Sequence, residues 1–480
     1  MSEHRRRPAH PPRVRPPQRR TGPRRPPMAD PARQAALDTV RAVRQRDAYA
    51  NLVLPRLLRE RRISGRDAAL ATELAYGTCR AQGLLDAVLD RCSDRPLHQV
   101  DGSLLDALRL GAYQLLRTRI PAHAAVAATV DLVRGELGSG ASGFANAVLR
   151  RVAERDEAEW VAELAPDPTE DLVGHLALAH AHPRWITQSF ADALGGAARE
   201  ELPAALAADD ARPAVHLTAR PGAVTAEELA LMSGGEEAPY SPYGVHLEPG
   251  AGDPADLDPV REGLATVQDE GSQLVTLALT RVEVAGADER WLDLCAGPGG
   301  KAVLLGALVG INGGTLDAVE RAAHRAELVR KVTGDLPVTV HVADGRESRL
   351  PEGGYDRVLV DAPCTGLGAL RRRPEARWRR QPSDVAELTK LQRELLMAGI
   401  RHARPGGVVA YVLCSPHLSE TLGVVTDVVR RSAKAGFDVE QLDARPYFPG
   451  VPELGDGAHV QLWPHRHGTD AMFCALFRRR

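Results

Sequence analysis

From about residue 260 onward, short apolar runs alternate with helical stretches, a pattern that a parallel sheet wound with helices on both faces satisfies. The predicted strands are RWLDLC (290–295), GTLDAVE (314–320), VTVHVAD (338–344), YDRVLVDA (355–362) and GVVAYVLC (407–414), and an edge hairpin near HVQLWPH and AMFCALF is expected to finish the sheet. Ligands in such sheets lie beyond the C-terminal ends of the strands. Cys295, Glu320, Asp344, Asp361, Cys364 and Cys414 all fall at or just past those ends, so one crevice is expected to collect them.

The rest of the chain reads differently. A length of 480 residues exceeds one ordinary core. Between Met28 and Val152 the stretches PARQAALDTVRAVRQ, RDAALATELAYGTCRAQGLLDAVLD, SLLDALRLGAYQLL and AHAAVAATVDLVRGEL repeat apolar residues at three and four, separated by Ser64-Gly65, Arg95-Pro96 and Ile120-Pro121. That is a helical bundle. Residues 153–245 mix a helix (HPRWITQSFADALG), a strand (RPAVHLTAR), a helix (PGAVTAEELALM) and a strand (YGVHLEPG), which suits a small sheet joining bundle to crevice. The fold class is therefore multidomain: an all-α bundle (28–152), a small mixed α/β linker subdomain (153–245) and a Rossmann-like α/β domain (246–480).

Charge matters locally. The net charge is −2, yet residues 1–27 carry nine Arg against one Glu, together with eight Pro. An arm of that composition buries too little to fold alone and is expected to be disordered and to seek polyanions. It lacks the apolar run of a secretory signal, and no apolar stretch is long enough to span a bilayer, so a cytoplasmic protein without membrane contact is expected. The six cysteines form no C-x-x-C pair and share no ligand spacing with His, which argues for reduced thiols and against a metal site. Only four Lys occur, and one of them, Lys301, closes a glycine-rich turn, a hint that a compact ammonium is wanted there.

That turn, DLCAGPGGKA, follows a strand and opens a helix. Gly297, Gly299 and Gly300 let the backbone approach a ligand, and the helix N-terminus behind them offers free N–H groups. The spacing is neither a dinucleotide fingerprint nor a phosphate-binding loop of the Walker type. Glu320 stands where an acid accepts the two ribose hydroxyls of a nucleoside cofactor. Asp344 is suited to the adenine amino group, and Asp361 to the place where cofactor and substrate meet. Of the thiols, Cys79, Cys92 and Cys474 read as buried apolar residues and Cys295 as a turn residue.

Taken in order, VQDEGSQL (267–274), DLCAGPGGK, the Glu320–Arg325 pair, ADGR (343–346), DAPCTGLG, LRRRPEARW with LQRELL, and LCSPH resemble the successive motifs of the S-adenosylmethionine-dependent RNA cytosine-5 methyltransferases of the Sun (Fmu) and Nop family. The segment FANAVLRRV (144–152) and the GAYQLL helix resemble the RNA-binding helical domain of the antitermination factor NusB. A NusB-like domain ahead of such motifs is the arrangement of the family's bacterial small-subunit ribosomal RNA enzyme.

The resemblance implies S-adenosylmethionine held by Cys295, Ala296, Gly297, Pro298, Gly299, Gly300 and Lys301, with Glu320, Arg325, Asp344 and Asp361 completing the site. It implies Cys414 as nucleophile on carbon 6 of cytosine, Cys364 as the thiol that assists release, and Asp361 at the cytosine edge. The residues alone leave the two thiols exchangeable, because DNA cytosine-5 methyltransferases use the cysteine of the earlier loop. Arg371, Arg372 and Arg373 are expected to meet phosphates. The expected partner is RNA, with small-subunit ribosomal RNA ahead of transfer RNA or DNA, and the expected state is a monomer without metal. The competing reading is an RNA-binding assembly factor whose catalytic half has lapsed. Three positions depart from the family pattern: Leu413 where Thr is common, Thr421 where Asn is frequent, and TDAMFCALF in place of a Gly-Phe-Phe run.

Overall fold

The computed structural model describes residues 30–248 and 250–480; the basic arm expected over 1–27 lies outside the described residues. Five helices build the first layer: α1 (Pro31–Arg46), α2 (Ala50–Glu60), α3 (Gly65–Cys92), α4 (Gly102–Arg117) and α5 (Ala122–Val152). Their starts follow local chemistry. Asp30 accepts the N–H groups of Ala32 and Arg33 ahead of Pro31, and Asp101 does the same for Ser103 and Leu104. The apolar faces meet in one core that includes Leu37, Leu74, Leu85, Leu108 and Leu149. α2 is an addition to the helices expected from sequence.

Helices α6 (Glu157–Leu164), α7 (Leu172–Ala179), α8 (Arg184–Leu194) and α9 (Ala198–Asp210) follow. Then comes a four-stranded sheet of β1 (Val215–Ala219), β2 (Glu236–Glu237), β3 (Gly244–Leu247) and β4 (Ala265–Val267), ordered β2-β3-β1-β4, with α10 (Ala226–Ser233) and the short α11 (Asp258–Arg261) beside it. The small sheet thus draws its last strand from beyond residue 245. β4 leads directly into α12 (Glu270–Arg281).

The main sheet is built from β5 (Arg290–Asp293), β6 (Thr315–Glu320), β7 (Val338–Val342), β8 (Tyr355–Asp361), β9 (Ala403–Leu413), β10 (Val439–Leu442), β11 (Val460–Gln461) and β12 (Phe473–Arg479). The connecting helices are α13 (Gly300–Ile311), α14 (Ala323–Thr333), α15 (Ala376–Arg379), α16 (Pro382–His402), α17 (Leu422–Lys434) and α18 (Pro464–His467). Strand order is β10-β12-β9-β8-β5-β6-β7, with β11 on β12. β5 to β9 run parallel, and the five strands expected from sequence are all present.

The expected edge hairpin is corrected. β12 pairs antiparallel with β11, but it also lies between β9 and β10, so the edge strand is β10 (VEQL). The reason is burial: Phe473 to Phe477 are all buried, as a central strand requires, whereas Val439 to Leu442 keep contact with solvent.

The chain after β8 ties these parts together. Leu367 and Leu370 enter the core of α7 to α9, and Trp378 packs on the core of α1 to α5, its Nε1 donating to the Cys79 carbonyl at 2.8 Å. Arg379 donates to the carbonyls of Val43, Asp47 and Ala48 at the α1–α2 corner. Between them Arg377, fully buried, pairs with Asp209 at 3.2 Å and Asp210 at 3.4 Å. Residues 367–380 are therefore a strap between the main sheet and every helix layer before it.

Candidate active site

The first wall of the site is the turn between β5 and α13. Two glycines are forced there. A Cβ on Gly297 would lie 2.1 Å from a Glu320 carboxylate oxygen, and Gly299 adopts φ +121°, with a Cβ position 2.4 Å from Val332. The Ala296 N–H continues the ladder to Val319, which brings the turn against the end of β6. There Glu320, nearly buried, accepts the Ala322 N–H at 2.8 Å and stands 3.5 Å from Arg325, whose guanidinium also donates to the Gly297 carbonyl. At the end of β7, Asp344 accepts the Arg346 N–H at 3.0 Å and pairs with its guanidinium, which holds the carboxyl down at about 2. Cys295 is half-buried, and its thiol is pushed well up by desolvation and by the surrounding carboxylates.

The second wall carries the two thiols singled out by the sequence. The Cys364 and Cys414 sulfurs lie 3.5 Å apart across the loops that follow β8 and β9. Lys301 Nζ donates to Asp361 Oδ2 at 2.7 Å, so the ammonium singled out by its rarity does meet the acid at the end of β8. Burial opposes the Lys301 charge, but Asp361 outweighs it and raises the pKa. The thiols are pushed in opposite directions. The hydrogen bond with Cys364 brings the Cys414 thiol below its ordinary value, assisted by the charge of Lys301 and opposed by burial and Asp361. The same hydrogen bond, with burial, raises Cys364 well above its ordinary value. The hydrogen bond between the sulfurs, against burial and the nearby Asp361 charge, thus favours a Cys414 thiolate accepting from a Cys364 S–H.

Sequence reasoning missed two groups here. Glu420, fully buried, accepts from the Thr365 N–H (2.8 Å), Gln392 Nε2 (3.0 Å), the Thr365 hydroxyl (2.5 Å) and the Ser415 hydroxyl (2.7 Å), and so binds the residue after each thiol. In the sequence its signal is a match to the family pattern one residue before Thr421, which gives it no role by itself. Asp293, in DLC, is 1% exposed, and burial, then Asp361, pushes its carboxyl up to about 7.

The arginine run is the second correction. Arg371 and Arg372 do not face outward: Arg371 pairs with Asp470 (2.7 Å) and Asp269 (3.2 Å), and Arg372 with Asp269 (2.6 Å) and Asp470 (3.0 Å). Two carboxylates facing two guanidinium groups inside the protein leave no charge over for phosphate. Arg373 lies over the Tyr49 ring, 5.8 Å from its centroid.

The comparisons agree with this architecture. Residues 283–478 match the family described as "16S rRNA methyltransferase RsmB/F", and residues 30–154 match the NusB family. A Mycobacterium tuberculosis protein whose name assigns it as a methyltransferase and no further is 61% identical over 462 residues, covering 96% of this chain and 99% of that one. The ribosomal RNA small subunit methyltransferase B of Pseudomonas putida is 33% identical over 413 residues, covering 84% of this chain and 90% of its own. Among solved structures, PH0851 superposes with a TM-score of 0.75 at 22% identity over 94% of this chain and 98% of its own, which speaks to the fold. NSun6 from Pyrococcus horikoshii, solved with SFG, gives 0.51 at 20% identity over 62% of this chain and 99% of its own. With a relative this similar along almost its whole length and both family matches in register with the two halves of the fold, the chain belongs to the 16S rRNA methyltransferase RsmB/F family and carries a NusB-family region ahead of its methyltransferase sheet.

Proposed function

We propose that the protein methylates carbon 5 of a cytosine in small-subunit ribosomal RNA, using S-adenosylmethionine and a transient bond between Cys414 and the base. The observation that carries this reading is the thiol pair, 3.5 Å apart and oppositely polarised, beside the Lys301–Asp361 ion pair. Membership of a 16S rRNA methyltransferase family and relatives named as ribosomal RNA methyltransferases support the substrate class. The SFG in the NSun6 structure is a mimic of the proposed cofactor and supports that assignment.

The cradle suits a nucleoside cofactor: Gly297, without a Cβ, admits the Glu320 carboxylate and the Arg325 guanidinium against the turn, and a carboxylate at that strand end is the acceptor a ribose needs. The turn from Cys295 to Lys301 holds the methionine portion and ribose, Glu320 takes the ribose hydroxyls, Arg325 fixes the turn, and Asp344 takes the adenine amino group. When bound, S-adenosylmethionine supplies the electrophilic methyl group that carbon 5 takes up.

Cytosine carbon 5 is too weak a nucleophile to do this unaided. The Cys414 thiolate adds to carbon 6, forming a C–S bond and moving the ring electrons toward carbon 5, while Asp361 hydrogen-bonds the cytosine edge and favours protonation of the adduct. The Lys301 ammonium favours the anionic sulfur and partly offsets Asp361, while the Cys364 hydrogen bond holds the charge on Cys414 beforehand. After methylation the proton on carbon 5 passes to solvent water, the electrons of that C–H bond restore the carbon 5–carbon 6 double bond as the C–S bond breaks, and Cys414 departs as thiolate, with the Cys364 S–H placed to stabilise it. Such attack needs the base unstacked. The exposed Arg62, just after α2, and Arg66, in the first turn of α3, offer phosphate contacts from the bundle side.

The test is release of tritium from cytosine-5-labelled RNA in the presence of S-adenosylmethionine. Release from small-subunit RNA, and not from transfer RNA or duplex DNA, is expected. Release confined to transfer RNA would move the substrate, and none from any nucleic acid would leave only a binding role.

A further inference from the structure

The helices α16 and α17 descend side by side from the rim that carries the two thiol loops, and an open surface groove of about 840 Å³ runs along α17, with Arg393 of α16 on its flank. Its upper end is lined by Leu418 and Ser419, four and five residues past Cys414. Lower down, three guanidinium groups converge on one carboxylate: Arg393 stands 3.0 Å from Asp427, Arg431 stands 2.8 Å from it, and Arg430 pairs with its other oxygen. One negative charge cannot neutralise three positive ones, so the cluster holds an excess of two charges. The Arg430 and Arg431 side chains are 69% and 60% exposed, which leaves most of their N–H donors turned to solvent. Asp427, only 13% exposed, is spent inside the cluster.

The geometry points to this groove as a second RNA-contact surface, one that takes phosphates of the single strand flanking the target cytosine. Guanidinium groups already oriented by a shared carboxylate lose less freedom when they meet phosphate oxygens than free side chains do. The surplus charge makes that contact favourable and salt-dependent. Exposed Leu418, at the upper end, gives a base or ribose an apolar surface on the way from the thiols. The buried Arg371 and Arg372, spent on Asp269 and Asp470, are not free to perform this task, whereas Arg430 and Arg431 are. The inference rests on the RNA reading above, not on the cytosine chemistry.

The experiment measures the affinity of the full chain for a single-stranded transcript of small-subunit ribosomal RNA between about 50 and 200 mM salt. Replacing Arg430 and Arg431 by Gln removes the two surplus charges, so the slope of log affinity against log salt is expected to shrink by about 1.4, at about 0.7 per single-strand phosphate. Asp427→Asn adds one surplus charge, and tighter binding with a slope steeper by about 0.7 is expected. Unchanged slopes in both, with native melting temperatures, would overturn the inference even if the protein methylates RNA. That result, together with salt-sensitive loss of an acidic protein partner, would reassign the groove to protein. RNA binding that follows the expected slopes, without tritium release by the native chain, would keep the groove and remove the cytosine reading.

Discussion

Cys414 and Cys364 are chemically alike but electrically unequal, and that inequality sets the first prediction. With the sulfur of Cys414 favoured as thiolate, Cys414→Ala is expected to abolish turnover while calorimetric binding of S-adenosylmethionine persists. Cys364→Ala is expected instead to accumulate a covalent protein–RNA adduct, seen as a slow band on a denaturing gel; exchanged outcomes would reverse the assignment. Asp293 supports a different measurement. Its carboxyl lies at about 7 in the fold against an ordinary 3.8, so the folded state holds a proton that the unfolded chain has released. The stability linked to that proton is complete below the ordinary value and is lost as pH rises through about 7. The native protein is therefore expected to lose more melting temperature between about pH 5 and about pH 8 than Asp293→Asn, which is neutral throughout. Equal losses would show that Asp293 is not the titrating group.

At the scale of elements, what was legible in the sequence was what is local. The five parallel strands and the DLCAGPGGK turn announce themselves through short apolar runs and glycines, and the residues at strand ends follow from topology. Pairing at long range left no such trace. Arg371 and Arg372 look like a phosphate-seeking run until Asp269 and Asp470, distant in sequence, close on them. The edge of the sheet was misread although a clue was present: FCALF is apolar on both faces, as a central strand must be, while VEQL is not. Glu420 belongs to the same class of omission, since its meaning lies in joining two loops. Replacing it with Ala leaves the donors of Thr365, Ser415 and Gln392 without their acceptor, and a loss of about 3 kcal/mol in unfolding free energy is expected. Turnover should fall with cofactor affinity nearly intact. Denaturant titration beside single-turnover kinetics checks both, and a stable, fully active variant would contradict the role given to this carboxylate in joining the two thiol loops.

Across the whole molecule, the strap of residues 367–380 sends apolar side chains into two helical cores and guanidinium groups into a third contact. Cores shared in this way unfold together. Differential scanning calorimetry of the full chain is expected to give one cooperative transition, and two well-separated transitions would mean that bundle and sheet are stable independently. The grip of Trp378 and Arg379 on the bundle bears on what a shortened chain would expose. A gene that lost its opening third would encode a sheet with a bare indole at position 378 and an Arg379 stripped of the three carbonyls it grips at the α1–α2 corner. Cutting the bundle from the sheet therefore leaves unmet hydrogen-bonding groups on both pieces, a cost that each would carry alone.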